Sequence, residues 1–133
     1  MGNILLGIDI GTSSCKAAAF DTEGRVVTQV SEGYRVYYPE PGFVEQDPME
    51  WWHAVTKAIR GILDTGKVKP EDIAGIGVDG QSWSAIPVDR EGNVLYNTPI
   101  WMDTRSKDIC DEFTRKIGFD RIFSISGNSL EPT

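Results

Sequence analysis

The chain has 133 residues, 40% of them hydrophobic and 25% charged, a balance that supports a packed core and excludes a disordered polar tract. The net charge is −7 and Lys and Arg form no cluster, which argues against nucleic acid as a partner. An anionic ligand is not excluded, because backbone N–H groups bind phosphate without net positive charge.

Ile4 to Ile10 is an apolar run that predicts a buried strand. A second strand is expected from Cys15 to Asp21, then a turn at Asp21-Thr22-Glu23-Gly24. A third strand is expected from Val26 to Tyr38, with Val26, Val30, Tyr34, Val36 and Tyr38 on one face. Pro39 to Glu45 reads as a loop. Asp47 is a helix N-cap, Pro48 fits the first helical position, and Glu50 would complete a capping box. The stripe Trp51, Trp52, Val55, Ala58, Ile59, Ile62, Leu63 has helical period, and Gly66 ends it. Ile73 to Asp79 predicts a fourth strand and Ser84 to Asp89 a fifth. Asp89-Arg90-Glu91-Gly92 repeats the turn chemistry of residues 21–24. A second helix is expected over about Ser106 to Lys116, and the tail from Ser126 is polar with no final element. The order predicts an α/β fold: a ribonuclease-H-like, actin-like ATPase domain, with a mixed β-sheet and flanking helices, incomplete at the C-terminus.

Two cysteines, Cys15 and Cys110, and one histidine, His53, stand in no zinc spacing and predict no metal cage, with the thiols reduced as in the cytosol. The N-terminus lacks the pattern of a signal peptide, and no stretch approaches the ~18 apolar residues of a membrane span. A cytoplasmic chain without membrane partners is expected.

The chemical signal is Gly7-Ile8-Asp9-Ile10-Gly11-Thr12-Ser13-Ser14-Cys15-Lys16, at the turn between the first two strands. Gly11 allows close backbone approach, and Thr12, Ser13 and Ser14 offer hydroxyl and N–H groups that can cradle phosphate oxygens. Asp9 can hold Mg²⁺, most simply through water, and Lys16 adds positive charge. Neither a P-loop nor a dinucleotide loop is present.

Asp-Ile-Gly-Thr-Ser-Ser-x-Lys resembles the first phosphate motif of the actin, heat-shock ATPase and sugar kinase superfamily. Three later segments resemble one branch of it. They are Gly42-Phe43-Val44-Glu45-Gln46-Asp47-Pro48 with Trp51-Trp52, then Gly75-Ile76-Gly77-Val78-Asp79-Gly80-Gln81, then Pro99-Ile100-Trp101-Met102-Asp103-Thr104-Arg105. In order and spacing they resemble FGGY carbohydrate kinases, xylulokinase-like members especially. The resemblance implies ATP and Mg²⁺ as cofactors and a small-molecule sugar as substrate. Residues 1–133 would be the N-terminal part of the sugar-binding domain, without the later nucleotide-binding domain.

The resemblance also implies the sugar floor: Gln81, Ser82 and Trp83 after the fourth strand, then Trp101, Asp103 and Arg105. A Trp can cover a sugar's C–H face while a carboxylate accepts hydroxyl bonds, and Asp103 and Arg105 can pair with each other. Xylulokinases usually carry Met-His where this chain has Ser82-Trp83, so another ketose, a polyol or an aldonate stands beside a ketopentose such as xylulose. The carboxylate base lies past residue 133 by the same resemblance, so this chain alone is expected to be inactive. Apolar sheet surface left uncovered would favour self-association, for instance as a homodimer. A nuclease using Asp9 and Asp79, and a non-catalytic actin-like sugar or nucleotide binder, are the rival readings.

Overall fold

The structure is a computed structural model and describes residues 3–132. In chain order it has β1 (Ile4–Ile10), β2 (Ser14–Phe20), β3 (Val26–Gly33), β4 (Glu45–Gln46) and α1 (Pro48–Asp64). A 3-10 turn (Pro70–Asp72), β5 (Ile73–Gly80), β6 (Thr98–Pro99), α2 (Lys107–Ile117) and α3 (Phe119–Ser126) follow. The main sheet has four strands in the order β3-β2-β1-β5. β1–β2 and β2–β3 are antiparallel, and β5 returns parallel to β1. β4 and β6 form a separate two-stranded pair. The mixed sheet with flanking helices is the expected one.

Alternation decides which face α1 covers. Ile4, Leu6 and Ile8 of β1, with Cys15, Ala17 and Ala19 of β2, form one buried cluster with Ala54, Val55, Ala58 and Ile62 of α1. Small side chains at positions 17, 19, 54 and 58 let the helix lie close to the sheet. Leu5 and Asp9 alternate to the other face and are exposed. Each fully buried Leu or Ile contributes about 1.5–3 kcal/mol.

Four expectations are corrected. The third strand ends at Gly33, not Tyr38. The backbone donors beyond it go elsewhere: Arg35 N–H to the Glu50 carboxylate at 3.0 Å, and Tyr37 N–H to the Glu45 carbonyl at 2.8 Å. The strand expected at Ser84 to Asp89 does not form. Only an isolated Val88–Val94 bridge appears there, and Pro87 has no N–H to give a ladder. The capping box is half made. Asp47 Oδ1 accepts from Met49 N–H at 2.8 Å, whereas Glu50 turns to Arg35 and accepts from the Tyr37 hydroxyl at 2.7 Å. Trp52 leaves the apolar stripe and is exposed, and Ala54 takes the buried position. Each residue step along a helix rotates about 100°, so Trp51 and Trp52 do not share a face.

The two echoing turns share one geometry. Asp21 Oδ1 accepts from Glu23 and Arg25 N–H, and Asp89 Oδ1 from Glu91 and Asn93 N–H. Gly24 and Gly92 close them at φ 80° and 87°. An extra helix, α3, starts after Gly118, with Phe119 stacked on Phe123. Among the described residues no helix is long and apolar enough to cross a membrane.

Candidate functional site

The β1–β2 turn lies at the end of the sheet where β1 and β5 both finish. Gly11 N–H donates to the Ser14 carbonyl at 3.1 Å, which closes the turn. The space where a side chain at position 11 would stand is bordered by Ser14 O at 3.4 Å and Asp9 Oδ1 at 3.9 Å. The Asp9 carboxylate therefore leans toward the turn. In register, Asp9 sits between Lys16 on β2 and Asp79 on β5. All three line one concavity of about 470 Å³ on the sheet face that α1 does not cover. Asp79 Oδ1 accepts from Gly80 N–H at 2.9 Å.

The turn is held from behind by residues that the sequence reading does not single out for a role. Tyr34 donates its hydroxyl to the Gly11 carbonyl. Burial, with the nearby Cys15 and Asp9, pushes that hydroxyl's pKa up to about 12, so it stays a donor at neutral pH. Gln46, fully buried on β4, donates to the Thr12 carbonyl at 2.8 Å and the Arg35 carbonyl at 3.2 Å. Its Oε1 accepts from Trp51 Nε1 at 3.2 Å and Gln81 Nε2 at 2.8 Å. Those backbone carbonyls fix which end of the Gln46 amide is which. One side chain thus ties the β1–β2 turn to the first residue after β5. A glutamine beside an N-cap looks like any polar loop residue, and only tertiary structure reveals it as a hub.

The segments at 42–48 and 99–105 prove to be one unit. Ile100 N–H donates to Val44 O at 3.1 Å and Thr104 N–H to Gly42 O at 2.8 Å. Asp103, buried to 2% exposure, accepts from Val44 N–H at 2.7 Å. It also takes Arg105 N–H, Nε and Nη2 at 3.0, 2.9 and 2.7 Å. Arg105 reaches on to Glu45 at 2.7 Å and lies 3.9 Å over the Phe43 ring. Burial works to raise the Asp103 pKa, but the Arg105 and backbone donors outweigh it and hold the carboxyl below its ordinary value.

This brace carries Trp101 to the turn, where Trp101 Nε1 donates to Thr12 Oγ1 at 2.9 Å. Of the expected sugar-side residues, Trp101 bonds Thr12 directly and Gln81 reaches it only through Gln46, while Asp103 and Arg105 pair with each other. Ser82 is exposed. Trp83 is exposed and stands at φ 63°, a conformation that bulky side chains rarely adopt. It lines a cavity of about 240 Å³ with Pro99, Asp103 and Arg105.

The profile of the FGGY family of carbohydrate kinases, N-terminal domain, matches residues 4–133. The chain belongs to that family. A glycerol kinase of Caldanaerobacter subterraneus subsp. tengcongensis is 36% identical over 122 residues, 91% of this chain and 24% of the relative. The structure matches a xyloylose kinase from Brucella ovis with TM-score 0.88 at 34% identity, over 97% of this chain and 26% of the other. It matches a gluconate kinase from Lactobacillus acidophilus with TM-score 0.87 at 28% identity, again over 97% and 26%. The chain spans about a quarter of the length of the curated relatives it matches.

Within this FGGY domain, Gly42 is where the brace is tightest. Its φ is 86°, and a Cβ there would meet Thr104 Oγ1 at 3.0 Å. Gly24 has a similar φ of 80° with nothing within 4 Å. Thermal melts of the full-length protein are expected to show Gly42→Ala destabilised by about 2 kcal/mol, and Gly24→Ala by about 1. Equal losses would mean that the Thr104 contact yields freely.

Proposed function

We propose that the full-length protein is an ATP-dependent kinase that phosphorylates a hydroxyl group of a sugar or polyol, with a ketopentose such as xylulose the first candidate. The observation that carries this is the meeting of Thr12, in the hydroxyl-rich turn, with Trp101, from the loop that resembles the family's sugar side. A phosphate cradle and an aromatic wall stand in contact, as transfer between two bound molecules requires.

The roles follow from the donors. N–H and hydroxyl groups at Gly11, Thr12, Ser13 and Ser14 would hold the γ-phosphoryl oxygens, with Lys16 contributing charge. Asp9 and Asp79 are neighbours in register, and among the described residues no larger acid–histidine–cysteine group could cage a metal. That donor set fits Mg²⁺, which takes one or two carboxylates and fills its shell with water and phosphate. Bound Mg²⁺ would neutralise charge on the transferring group. On the sugar side, Gln81, Ser82, Trp83 and Trp101 would form the floor. Asp103, whose oxygens are committed to Val44 and Arg105, would act with Arg105 as the brace beneath it. Ser82 and Trp83 would be the selectors, because Trp supplies bulk and a single donor. Residues 1–133 would form part of the sugar-binding domain, with the proton-accepting carboxylate and the nucleotide-binding domain elsewhere in the full-length chain.

The test is ADP release by the full-length protein with Mg²⁺-ATP and a panel containing xylulose, glycerol and gluconate. Turnover dependent on one compound is expected. ADP release that no compound stimulates would contradict the kinase reading.

A further inference from the structure

We propose that Trp101 is a positioning residue for the phosphate turn: its indole N–H fixes the Thr12 hydroxyl as a donor toward a phosphoryl oxygen, and so couples sugar binding to nucleotide binding. This rests on the kinase reading above. An indole N–H only donates, so Thr12 Oγ1 is the acceptor in the 2.9 Å bond. The Thr12 O–H proton is thereby turned away from the indole and has no protein acceptor among the described residues. A phosphoryl oxygen, which only accepts, matches it.

The surroundings hold the backbone of the turn and leave its side-chain hydroxyls to rotate. The Thr12 carbonyl is held by Gln46 at 2.8 Å, and the Gly11 carbonyl by Tyr34. Rotation of the Thr12 side chain remains, and the Trp101 bond removes it. Trp101 is itself 49% exposed, so a ligand can pack on its ring. A sugar face seated there would hold the indole, the indole would hold the hydroxyl, and the hydroxyl would be aimed before ATP arrives. By linkage, the nucleotide would tighten sugar binding by the same factor.

The experiment uses the full-length protein, Mg²⁺ with AMP-PNP, and whichever of xylulose, glycerol or gluconate the unsubstituted protein turns over. That sugar is expected to tighten AMP-PNP binding about tenfold. Trp101→Phe keeps an aromatic wall and removes only the N–H. It is expected to bring the coupling factor within about twofold of unity and lower kcat about tenfold, while the sugar KM changes less than about threefold. Thr12→Val should reproduce the loss, Thr12→Ser should retain the coupling, and the double variant Trp101→Phe/Thr12→Val should be no worse than Thr12→Val alone. Retained coupling in Trp101→Phe, losses that add in the double variant, or no coupling in the unsubstituted protein would each overturn the proposal. If the unsubstituted protein turns over none of the three compounds, the kinase reading fails first and takes this proposal with it. Should Trp101→Phe fold poorly, Thr12→Val against Thr12→Ser still decides whether the hydroxyl carries the coupling.

Discussion

Asp9→Asn in the full-length protein is expected to lower kcat about 10²–10³-fold while the sugar KM stays within about threefold. The substitution keeps size and shape and removes the charge. Asp9 is exposed on the open sheet face, so no buried network collapses. Its carboxylate leans toward Gly11, and it stands between Lys16 and Asp79 in register. On the proposed reading, removing that charge would weaken the hold on Mg²⁺ where charge moves during transfer. Stability should change little, because surface substitutions usually stay within about 0.5 kcal/mol. Steady-state kinetics at several Mg²⁺ concentrations provide the check. A raised sugar KM with unchanged kcat would place Asp9 in sugar binding instead.

Arg105→Met is expected to cost about 3 kcal/mol of stability, because it strands a buried carboxylate. Asp103 is 2% exposed and loses two of its four donors in one substitution, the Arg105 Nε and Nη2, keeping only the backbone N–H groups of Val44 and of residue 105. Glu45 loses its partner as well. The pH dependence follows from the direction of the shift. Burial raises the Asp103 pKa, and Arg105 and the backbone donors overcome it, so the folded value lies below the unfolded one. This group's contribution is therefore present above the unfolded pKa of about 3.9 and is lost as pH falls through the lower folded value. In Arg105→Met, burial dominates and the pKa rises. Thermal melts from pH 4 to 8 should then show the variant losing further stability on the alkaline side, where the unpaired carboxylate must ionise. A variant curve parallel to the original would mean that water replaces the guanidinium at no cost.

β1, β2, β5 and the first helix are legible because their patterns are local. Ile4, Leu6 and Ile8 alternate, and Asp47-Pro48 opens α1 as its cap chemistry requires. The end of β3 is not legible, because Arg35 and Tyr37 find their partners in Glu50 and Glu45, residues no local window includes. The same holds for the site. Asp9 and the Gly11–Ser14 turn stand out in the sequence by their composition and by their resemblance to a phosphate motif, and the proposed role rests on that resemblance. Gln46 does not, since its importance lies in meeting Thr12, Trp51 and Gln81 at once. The FGGY-like segments at 42–48 and 99–105 are separate in sequence, and their union through Asp103, Arg105 and Glu45 is visible only in the fold.

The most direct measurement of the central claim is a crystal structure of the full-length protein with AMP-PNP, Mg²⁺ and the sugar it turns over. The γ-phosphoryl oxygens are predicted within hydrogen-bond reach of the turn at Gly11 to Ser14, with Mg²⁺ on the Asp9 side and the sugar against Trp101. A γ-phosphoryl group bound away from that turn, or a sugar that leaves Trp101 untouched, would contradict the account.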